Sequence, residues 1–225
     1  MTALRLAHRG DWRVAPENSL AAMQAALSIP GCDGLEFDVR SSVDGVAVLL
    51  HDESLARVQH VPLSCSTLTA AELAAHGIPT LGQVLGAIGC DPFVDVELKE
   101  PVQGAIDALE LERGRIDDDG RSVVRNTALS SFAPSILAWL AIERPTWARW
   151  LNAYDLSPET VALAASLGCE AISAEWRGVD ADGVARASAA GLKVASWTIR
   201  ELEDYRRLEA LGVVGMCVEA AALDG

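Results

Sequence analysis

The chain has 225 residues, half of them hydrophobic, which is enough to bury one sizeable core, and we expect a single domain spanning residues 1–225. Its 32 acidic residues outnumber its 18 basic ones, for a formal net charge of −14. This charge disfavours binding to nucleic acid or to anionic membrane surfaces, and an anionic ligand would need a local positive group such as a bound divalent cation.

From residue 90 onward, short apolar segments alternate with helix candidates at a spacing of twenty to thirty residues, which is typical of repeated strand–helix units. Eight segments are predicted as strands, at residues 4–8, 35–39, 93–99, 127–132, 148–153, 170–176, 193–199 and 213–219. Helices are predicted at residues 19–27, 133–142, 158–167, 183–190 and 201–211. The last three end before a glycine suited to the left-handed position after a helix, namely Gly168, Gly191 and Gly212. The predicted fold class is α/β, a (β/α)8 TIM barrel.

One apolar run, at residues 46–50, follows the second predicted strand too closely to be the next barrel strand. Parallel neighbours need a crossover of about a dozen or more residues. Asp44-Gly45 is a strong signal for a tight turn. We therefore predict a β-hairpin excursion after strand 2, which brings His51 back toward Asp38, and a barrel of eight strands rather than nine.

Charged side chains cluster on two predicted strands. Because side chains two positions apart in a strand point the same way, Glu36 and Asp38 share a face. The same holds for Asp95, Glu97 and Lys99. Charges inside a barrel are costly unless they pair or bind metal, and barrel active sites lie at the strand ends. Three carboxylates there would suit Mg²⁺ or Ca²⁺ rather than zinc. The alternatives are a polar strand face turned to water and, for Lys99, a simple salt bridge.

Two histidines lie at the ends of predicted strands. His8 precedes Arg9-Gly10, and His51 ends the returning arm of the hairpin. A lone histidine in such a place is more often structural than catalytic. Two histidines on the rim that carries the carboxylates would form an acid–base pair for cleaving a P–O bond. His60 and His76 receive no role.

Several short motifs occur in order along nearly the whole chain. They are Ala7-His8-Arg9-Gly10, Pro16-Glu17-Asn18-Ser19, the stretch at residues 36–52, Ile78-Pro79-Thr80-Leu81, Val96-Glu97-Leu98-Lys99, Ser131-Phe132, and Gly191-Leu192-Lys193-Val194 leading to Trp197-Thr198-Ile199. Together they resemble the glycerophosphodiester phosphodiesterase family, a branch of the phospholipase-C-like barrels. The stretch at residues 36–52, which resembles E-x-D-V…T-x-D-G…V-x-x-H-D, is the most specific piece.

The resemblance implies hydrolysis of a small-molecule glycerophosphodiester to sn-glycerol 3-phosphate and an alcohol, with a divalent cation, Mg²⁺ or Ca²⁺, as cofactor. It assigns roles position by position: His8 and His51 as catalytic acid and base, Glu36, Asp38 and Glu97 as metal ligands, and Arg9 and Lys99 as phosphate-binding residues. Trp197 is expected in the substrate pocket, where it stacks on the glycerol backbone or on a choline-like group, unless it serves packing alone.

The sequence departs from the family pattern in a few places. Ser19 and Ser42 replace threonines, and Arg200 stands where asparagine is usual. The closing strand runs into Glu219-Ala220 where the family typically has T-D followed by proline, so a supporting carboxylate of the family lacks its usual match. The segment at residues 53–77 is shorter than in many members of the family, which predicts a trimmed cap region over the barrel and a more open site.

Other functions stay open from the sequence. A related phosphodiesterase or lyase would release a cyclic phosphate, a catalytically silent barrel would only bind phosphodiesters, and a metal-assisted barrel of the same fold would act on carbonyl compounds. The five scattered cysteines suggest reduced thiols rather than disulfides or a zinc site, and the first twenty residues lack a signal-peptide pattern. We therefore expect a cytoplasmic protein without membrane insertion.

Overall fold

The structure, a computed structural model, describes residues 2–225. In chain order its elements are β1 (Leu4–His8), α1 (Leu20–Leu27), β2 (Gly34–Ser41), β3 (Ala47–Leu49), α2 (Ala70–Ala75), α3 (Leu81–Ile88), β4 (Phe93–Leu98), α4 (Gln103–Arg113), β5 (Gly114–Ile116), β6 (Ser122–Val124), β7 (Thr127–Ser131), α5 (Pro134–Glu143), β8 (Arg149–Ala153), α6 (Pro158–Ser166), β9 (Ala171–Glu175), α7 (Ala181–Ala189), β10 (Lys193–Ile199), α8 (Leu202–Ala210), β11 (Gly215–Val218) and α9 (Ala220–Asp224).

Eight parallel strands close into a barrel. Their hydrogen-bonded order is β1, β2, β4, β7, β8, β9, β10 and β11, and β11 pairs again with β1. Helices lie between the strands, so the predicted TIM barrel is confirmed. The predicted helix ends are also confirmed, because the backbone is left-handed at Gly168, Gly191 and Gly212.

Two antiparallel hairpins interrupt the alternation of barrel strands and helices. In the first, β3 returns along β2 with Leu49 opposite Val39, which confirms the predicted excursion. The second pairs β5 with β6, with Gly114 opposite Val124, and was not predicted from the sequence. Residues 53–77 carry the short helix α2 and pack on a small separate core beneath the first hairpin, as expected for a trimmed cap.

On the barrel strand β2, apolar side chains point outward and polar side chains point into the barrel. On β2, Leu35, Phe37 and Val39 point outward into the main core, which also contains buried leucines of α3 and α4. The alternate residues point into the barrel. Near its amino-terminal end the interior is closed by a small apolar layer that includes Leu6 and Trp150. Buried polar side chains on β2 and β4, among them Glu36, Asp38 and Glu97, also point into the barrel.

Among residues 2–225, no helix combines the length and the apolar character needed to cross a membrane.

Candidate active site

The register of three neighbouring strands gathers the acidic side chains. Glu36 on β2 lies beside His8 on β1 and beside Asp95 on β4, and Asp38 lies beside Glu97. One carboxylate oxygen from each of Glu36, Asp38 and Glu97 lies within 4.8 Å of the others. The predicted trio of carboxylates therefore converges at the carboxyl end of the barrel.

Burial makes this cluster electrostatically costly. Burial raises the pKa of Glu36 well above its ordinary value, and the adjacent Asp38 charge raises it further. The same two causes raise the pKa of Glu97, and burial raises the pKa of Asp95 to about 7. Asp38 behaves differently: burial opposes its ionisation, but the charges of Arg9 and Lys99 hold its pKa below the ordinary range.

Asp38 anchors the cationic side of the site. Arg9 Nε lies 3.0 Å from Asp38 Oδ2, and Lys99 Nζ lies 2.8 Å from Asp38 Oδ1. Lys99 also pairs with Glu97, so the salt bridge considered for this lysine is present. Asn18 Nδ2 donates a hydrogen bond of 2.9 Å to Asp38 Oδ2. These contacts fix Asp38 and aim two cations at the cluster.

The donor set fits a hard divalent cation. All three converging ligand atoms are carboxylate oxygens, the type that Mg²⁺ and Ca²⁺ prefer. Glu36 Oε2 is buried and accepts no hydrogen bond from the described part of the chain, residues 2–225. Carboxyl groups also outnumber the cations Arg9 and Lys99 among the residues that line this end of the barrel. A cation bound to the trio would relieve the repulsion that raises these pKa values.

His8 lies between two carboxylates. Its Nδ1 is 2.5 Å from Glu219 Oε1, and its Nε2 is 3.8 Å from Glu36 Oε2. Arg200 Nε donates to the other oxygen of Glu219 at 2.8 Å. Burial opposes ionisation of Glu219, but the His8 hydrogen bond and Arg200 lower its pKa to about 2. Glu219 therefore supplies a supporting carboxylate at the position where the family motif is altered.

His51 has a comparable set of neighbours. Its Nδ1 is 2.6 Å from Asp52 Oδ1, and Arg57 Nε donates to Asp52 Oδ2 at 2.6 Å. Arg57 also donates two hydrogen bonds to Glu17, of 2.6 and 2.9 Å. Burial lowers the pKa of His51 from its ordinary value. Because Glu17 also accepts from Arg9 at 3.0 Å, the surroundings of His51 connect back to the acidic cluster.

The turn after His8 requires its glycine. Gly10 has φ of 79°, and a Cβ added there would lie 2.6 Å from the carbonyl carbon of Ala22. Only glycine allows α1 to approach this closely. The approach holds the amino end of α1 and the loop before it against the residues that follow His8.

A cavity of about 280 Å³ opens above the cluster. Its polar lining contains the sequence-predicted residues His8, Arg9, Glu36, His51, Glu97 and Lys99. Asp38 is fully buried beneath them. All seven of these predicted residues therefore come together at one site.

Trp197 joins two other aromatic residues on the opposite wall of this cavity. The ring centroids of Phe132 and Tyr154 lie 5.4 and 5.7 Å from that of Trp197. Trp197 Nε1 donates to the carbonyl oxygen of Ser173 at 2.8 Å, which fixes the indole. The sequence analysis selected Trp197 alone, because the wall is assembled from three different strand ends.

Asn18 and Glu219 belong to the site but were not predicted as site residues from the sequence. Asn18 had a signal, since it belongs to the Pro16-Glu17-Asn18-Ser19 motif. Glu219 stands where the family motif typically has T-D followed by proline, and because the motif is altered there, no residue was assigned as the supporting carboxylate.

Comparisons with known proteins identify the family and the fold. The family model described as the glycerophosphoryl diester phosphodiesterase family matches residues 8–223. A glycerophosphodiester phosphodiesterase of Caldanaerobacter subterraneus is 27% identical, over 97% of this chain and 95% of its own.

A phosphodiesterase of Oleispira antarctica, solved with its product sn-glycerol 3-phosphate, shares the fold with a TM-score of 0.80 at 24% identity, covering 96% of this chain and 93% of its own. A glycerophosphodiester phosphodiesterase of Thermotoga maritima gives 0.78 at 24% identity, over 100% and 96%. The chain therefore belongs to the glycerophosphoryl diester phosphodiesterase family and is a phosphodiesterase that hydrolyses glycerophosphodiesters.

Proposed function

We propose that this enzyme is a metal-dependent phosphodiesterase that uses His8 and His51 as its acid and base and releases sn-glycerol 3-phosphate and an alcohol. One observation carries the proposal: two histidines, a trio of carboxylates and two cations face a single cavity. The Oleispira relative binds sn-glycerol 3-phosphate, which supports the identity of the product.

Glu36, Asp38 and Glu97 would hold the cation, Mg²⁺ or Ca²⁺. When bound, it polarises the phosphoryl group and offsets the charge on its oxygens. Arg9 and Lys99 lie beside the same cluster and bind the remaining phosphate oxygens. Both side chains are already oriented by Asp38, so little conformational entropy is lost when the phosphate binds.

The two histidines divide the proton transfers. One neutral imidazole accepts a proton from the nucleophile, either water or the neighbouring glycerol hydroxyl, while the other, protonated, donates to the departing alkoxide. Both rings line the cavity. Trp197, in the wall opposite the charged residues, contacts the apolar part of the substrate and keeps water from that side.

The test measures glycerol 3-phosphate released from glycerophosphodiesters of choline, ethanolamine, glycerol and inositol, after chelation and after Mg²⁺ or Ca²⁺ is restored. We expect activity to be lost with chelator and to return with metal. His8→Ala and His51→Ala should each lower kcat by at least roughly 10²-fold, while His76→Ala, outside the cavity, serves as the matched control. Glu97→Gln should weaken the metal titration.

Three outcomes would count against parts of this function. Near-normal turnover in either active-site histidine variant removes that histidine from the mechanism. Cyclic phosphate as the final product indicates a lyase, with the glycerol hydroxyl as nucleophile. Metal binding without any product indicates a silent phosphodiester-binding barrel.

We also propose that the enzyme works in the cytoplasm. All five cysteines are free thiols in the structure, and two of them are only partly buried. Such thiols persist in a reducing compartment.

A further inference from the structure

The two histidines share an arrangement on the side of each ring that carries Nδ1. In the His8 support, formed by His8, Glu219 and Arg200, a carboxylate contacts Nδ1 and an arginine holds the carboxylate. In the His51 support, formed by His51, Asp52 and Arg57, the same three kinds of group occur in the same order. Neither support includes a residue of the proposed metal ligands, Glu36, Asp38 and Glu97, or of the proposed phosphate-binding pair, Arg9 and Lys99.

We propose that Glu219 and Asp52 are positioning residues that fix both histidines in the Nδ1–H tautomer, with Nε2 directed to the bound phosphodiester. The proposal rests on the function proposed above, in which both histidines transfer protons. It goes beyond that function because it states which ring nitrogen reacts and which residues set it.

The hydrogen-bonding capacity of a carboxylate determines which nitrogen of each histidine carries the proton. An ionised carboxylate can only accept, so the Nδ1 atom at 2.5 Å from Glu219 must donate. The low pKa of Glu219, about 2, keeps that carboxylate ionised at neutral pH. The Arg57 hydrogen bond lowers the pKa of Asp52 in the same way, so the contact of 2.6 Å from His51 Nδ1 has the same direction.

Fixing the proton on Nδ1 leaves Nε2 as the reactive atom of a neutral ring. The two nitrogens lie on opposite edges of the imidazole, so Nε2 of His8 faces away from Glu219 and lies 3.8 Å from Glu36 Oε2, at the acidic cluster. An unsupported neutral imidazole favours the proton on Nε2, which would leave no acceptor toward the substrate. The carboxylates therefore select the less common tautomer.

The arginines act on the carboxylates rather than on the rings. Arg200 occupies the second oxygen of Glu219, and Arg57 occupies the second oxygen of Asp52. Each carboxylate is thereby held in one orientation. Both guanidinium groups are largely or half exposed, so their contribution is smaller than that of the carboxylates.

A purely structural role is the competing explanation, since Glu219 and His8 also link β11 to β1 at the seam of the barrel. The tautomer separates the two explanations. The chain has four histidines, so a ¹⁵N spectrum of histidine-labelled protein at alkaline pH resolves each ring, and His8→Ala and His51→Ala assign the two of interest. We expect Nδ1–H for both in the native enzyme.

Substitution of one supporting carboxylate should change the tautomer of the histidine it contacts and leave the other histidine unchanged. Glu219→Ala should shift His8 to the Nε2–H tautomer and leave His51 unchanged, and Asp52→Ala should do the reverse. Glu219→Gln retains an accepting oxygen, and we expect it to keep a fraction of Nδ1–H even if the alanine variant folds poorly. Nε2–H at either histidine of the native enzyme, or Nδ1–H at His8 in a folded Glu219→Ala protein, overturns the proposal.

Kinetics provide the second readout. Carboxylates that orient metal-bound histidines change activity by roughly 10- to 100-fold, and we expect a comparable effect on acid–base histidines, so that Glu219→Ala and Asp52→Ala each lower kcat by about that factor with little change in KM. Adding Glu219→Ala to His8→Ala should cost nothing further, because its effect acts through His8. The matched control is Glu175→Ala, which breaks an ion pair with Arg177 that touches no histidine.

The outcomes distinguish this proposal from the function on which it rests. If His8→Ala retains activity, the proposed function fails for that histidine. If His8→Ala is inactive but Glu219→Ala is as active as the Glu175→Ala control, the function stands and the positioning role is wrong. A large additional loss in the double variant would also contradict it, since Glu219 would then act independently of His8.

Discussion

The His8 support and the His51 support make the same contacts but arise differently. His8 and Glu219 come from opposite ends of the chain, and their side chains are only 16% and 6% exposed. His51 and Asp52 are neighbours in sequence, with side chains 37% and 29% exposed. One support is therefore assembled by barrel closure in a low-dielectric interior, whereas the other is encoded by a short exposed segment.

This difference has energetic consequences. Interactions between charges strengthen as water is excluded, and removal of one partner then leaves the other without solvation. Exposed ion pairs of similar geometry contribute about 1 kcal/mol or less. We expect the same substitution to cost more stability on the His8 side than on the His51 side, although both sides should lose comparable activity.

The largest expected contrast concerns two glycines with nearly the same backbone conformation. Gly10, after His8, has φ of 79°, and Gly45, in the hairpin turn before His51, has φ of 78°. A Cβ at Gly10 would lie 2.6 Å from the Ala22 backbone, whereas a Cβ at Gly45 would meet no atom of residues 2–225 within 4 Å. Gly45→Ala should lower the free energy of unfolding by about 1 kcal/mol, the cost of φ alone. Gly10→Ala should cost more than about 3 kcal/mol.

Urea unfolding of the two variants measures this contrast directly. Each glycine variant controls for the other, since both carry the same strained φ. Equal midpoints for the two would mean that α1 can move away from Gly10, and that the His8 side is less rigidly packed than its geometry indicates.

A contrast of intermediate size concerns the two carboxylates and pH. Glu219→Gln should destabilise the protein by roughly 1–3 kcal/mol at neutral pH, because it weakens charged hydrogen bonds to His8 and Arg200. Asp52→Asn should cost less than about 1 kcal/mol. The folded-state pKa of Glu219, about 2, lies below its ordinary value, so its stabilisation is full above the ordinary pKa and fades as pH falls toward 2.

Unfolding midpoints of the native chain and both variants, measured from pH about 7 down to about 3, test this prediction. The gap between the native chain and Glu219→Gln should narrow below pH about 4.5. A gap that stays constant across this range would mean that the Glu219 charge contributes nothing to stability.

The same contrast explains what the sequence could predict. The eight barrel strands were predictable because each carries its own apolar pattern, and Asp52 adjoins His51 in a recognisable motif. Glu219 was not, because its contact with His8 spans 211 positions and exists only once β11 pairs with β1. Its sequence context, Val218-Glu219-Ala220, departs from the T-D and proline of the family motif, so the motif did not identify Glu219 as a supporting carboxylate.

Two further features escaped prediction for related reasons. In the β5–β6 hairpin β5 is exposed and β6 only half-buried, so the hairpin has no alternation of apolar and polar residues, and only the Asp119-Gly120 turn marks it. The aromatic wall joins Phe132, Tyr154 and Trp197 from three strand ends, and no local pattern connects them.

The smallest expected effect concerns the arginine of the exposed support. Arg57 bridges Asp52 and Glu17 while about half of its side chain is exposed, so Arg57→Ala should lower the free energy of unfolding by about 1 kcal/mol or less at low salt. Because the Debye length falls to about 3 Å in 1 M salt, this cost should largely disappear there. Arg177→Ala, which removes an exposed arginine paired with a single carboxylate, is the control. A cost for Arg57→Ala that persists undiminished in high salt would show that Arg57 is held in a desolvated bridge, and the two supports would then differ in sequence origin but not in electrostatic environment.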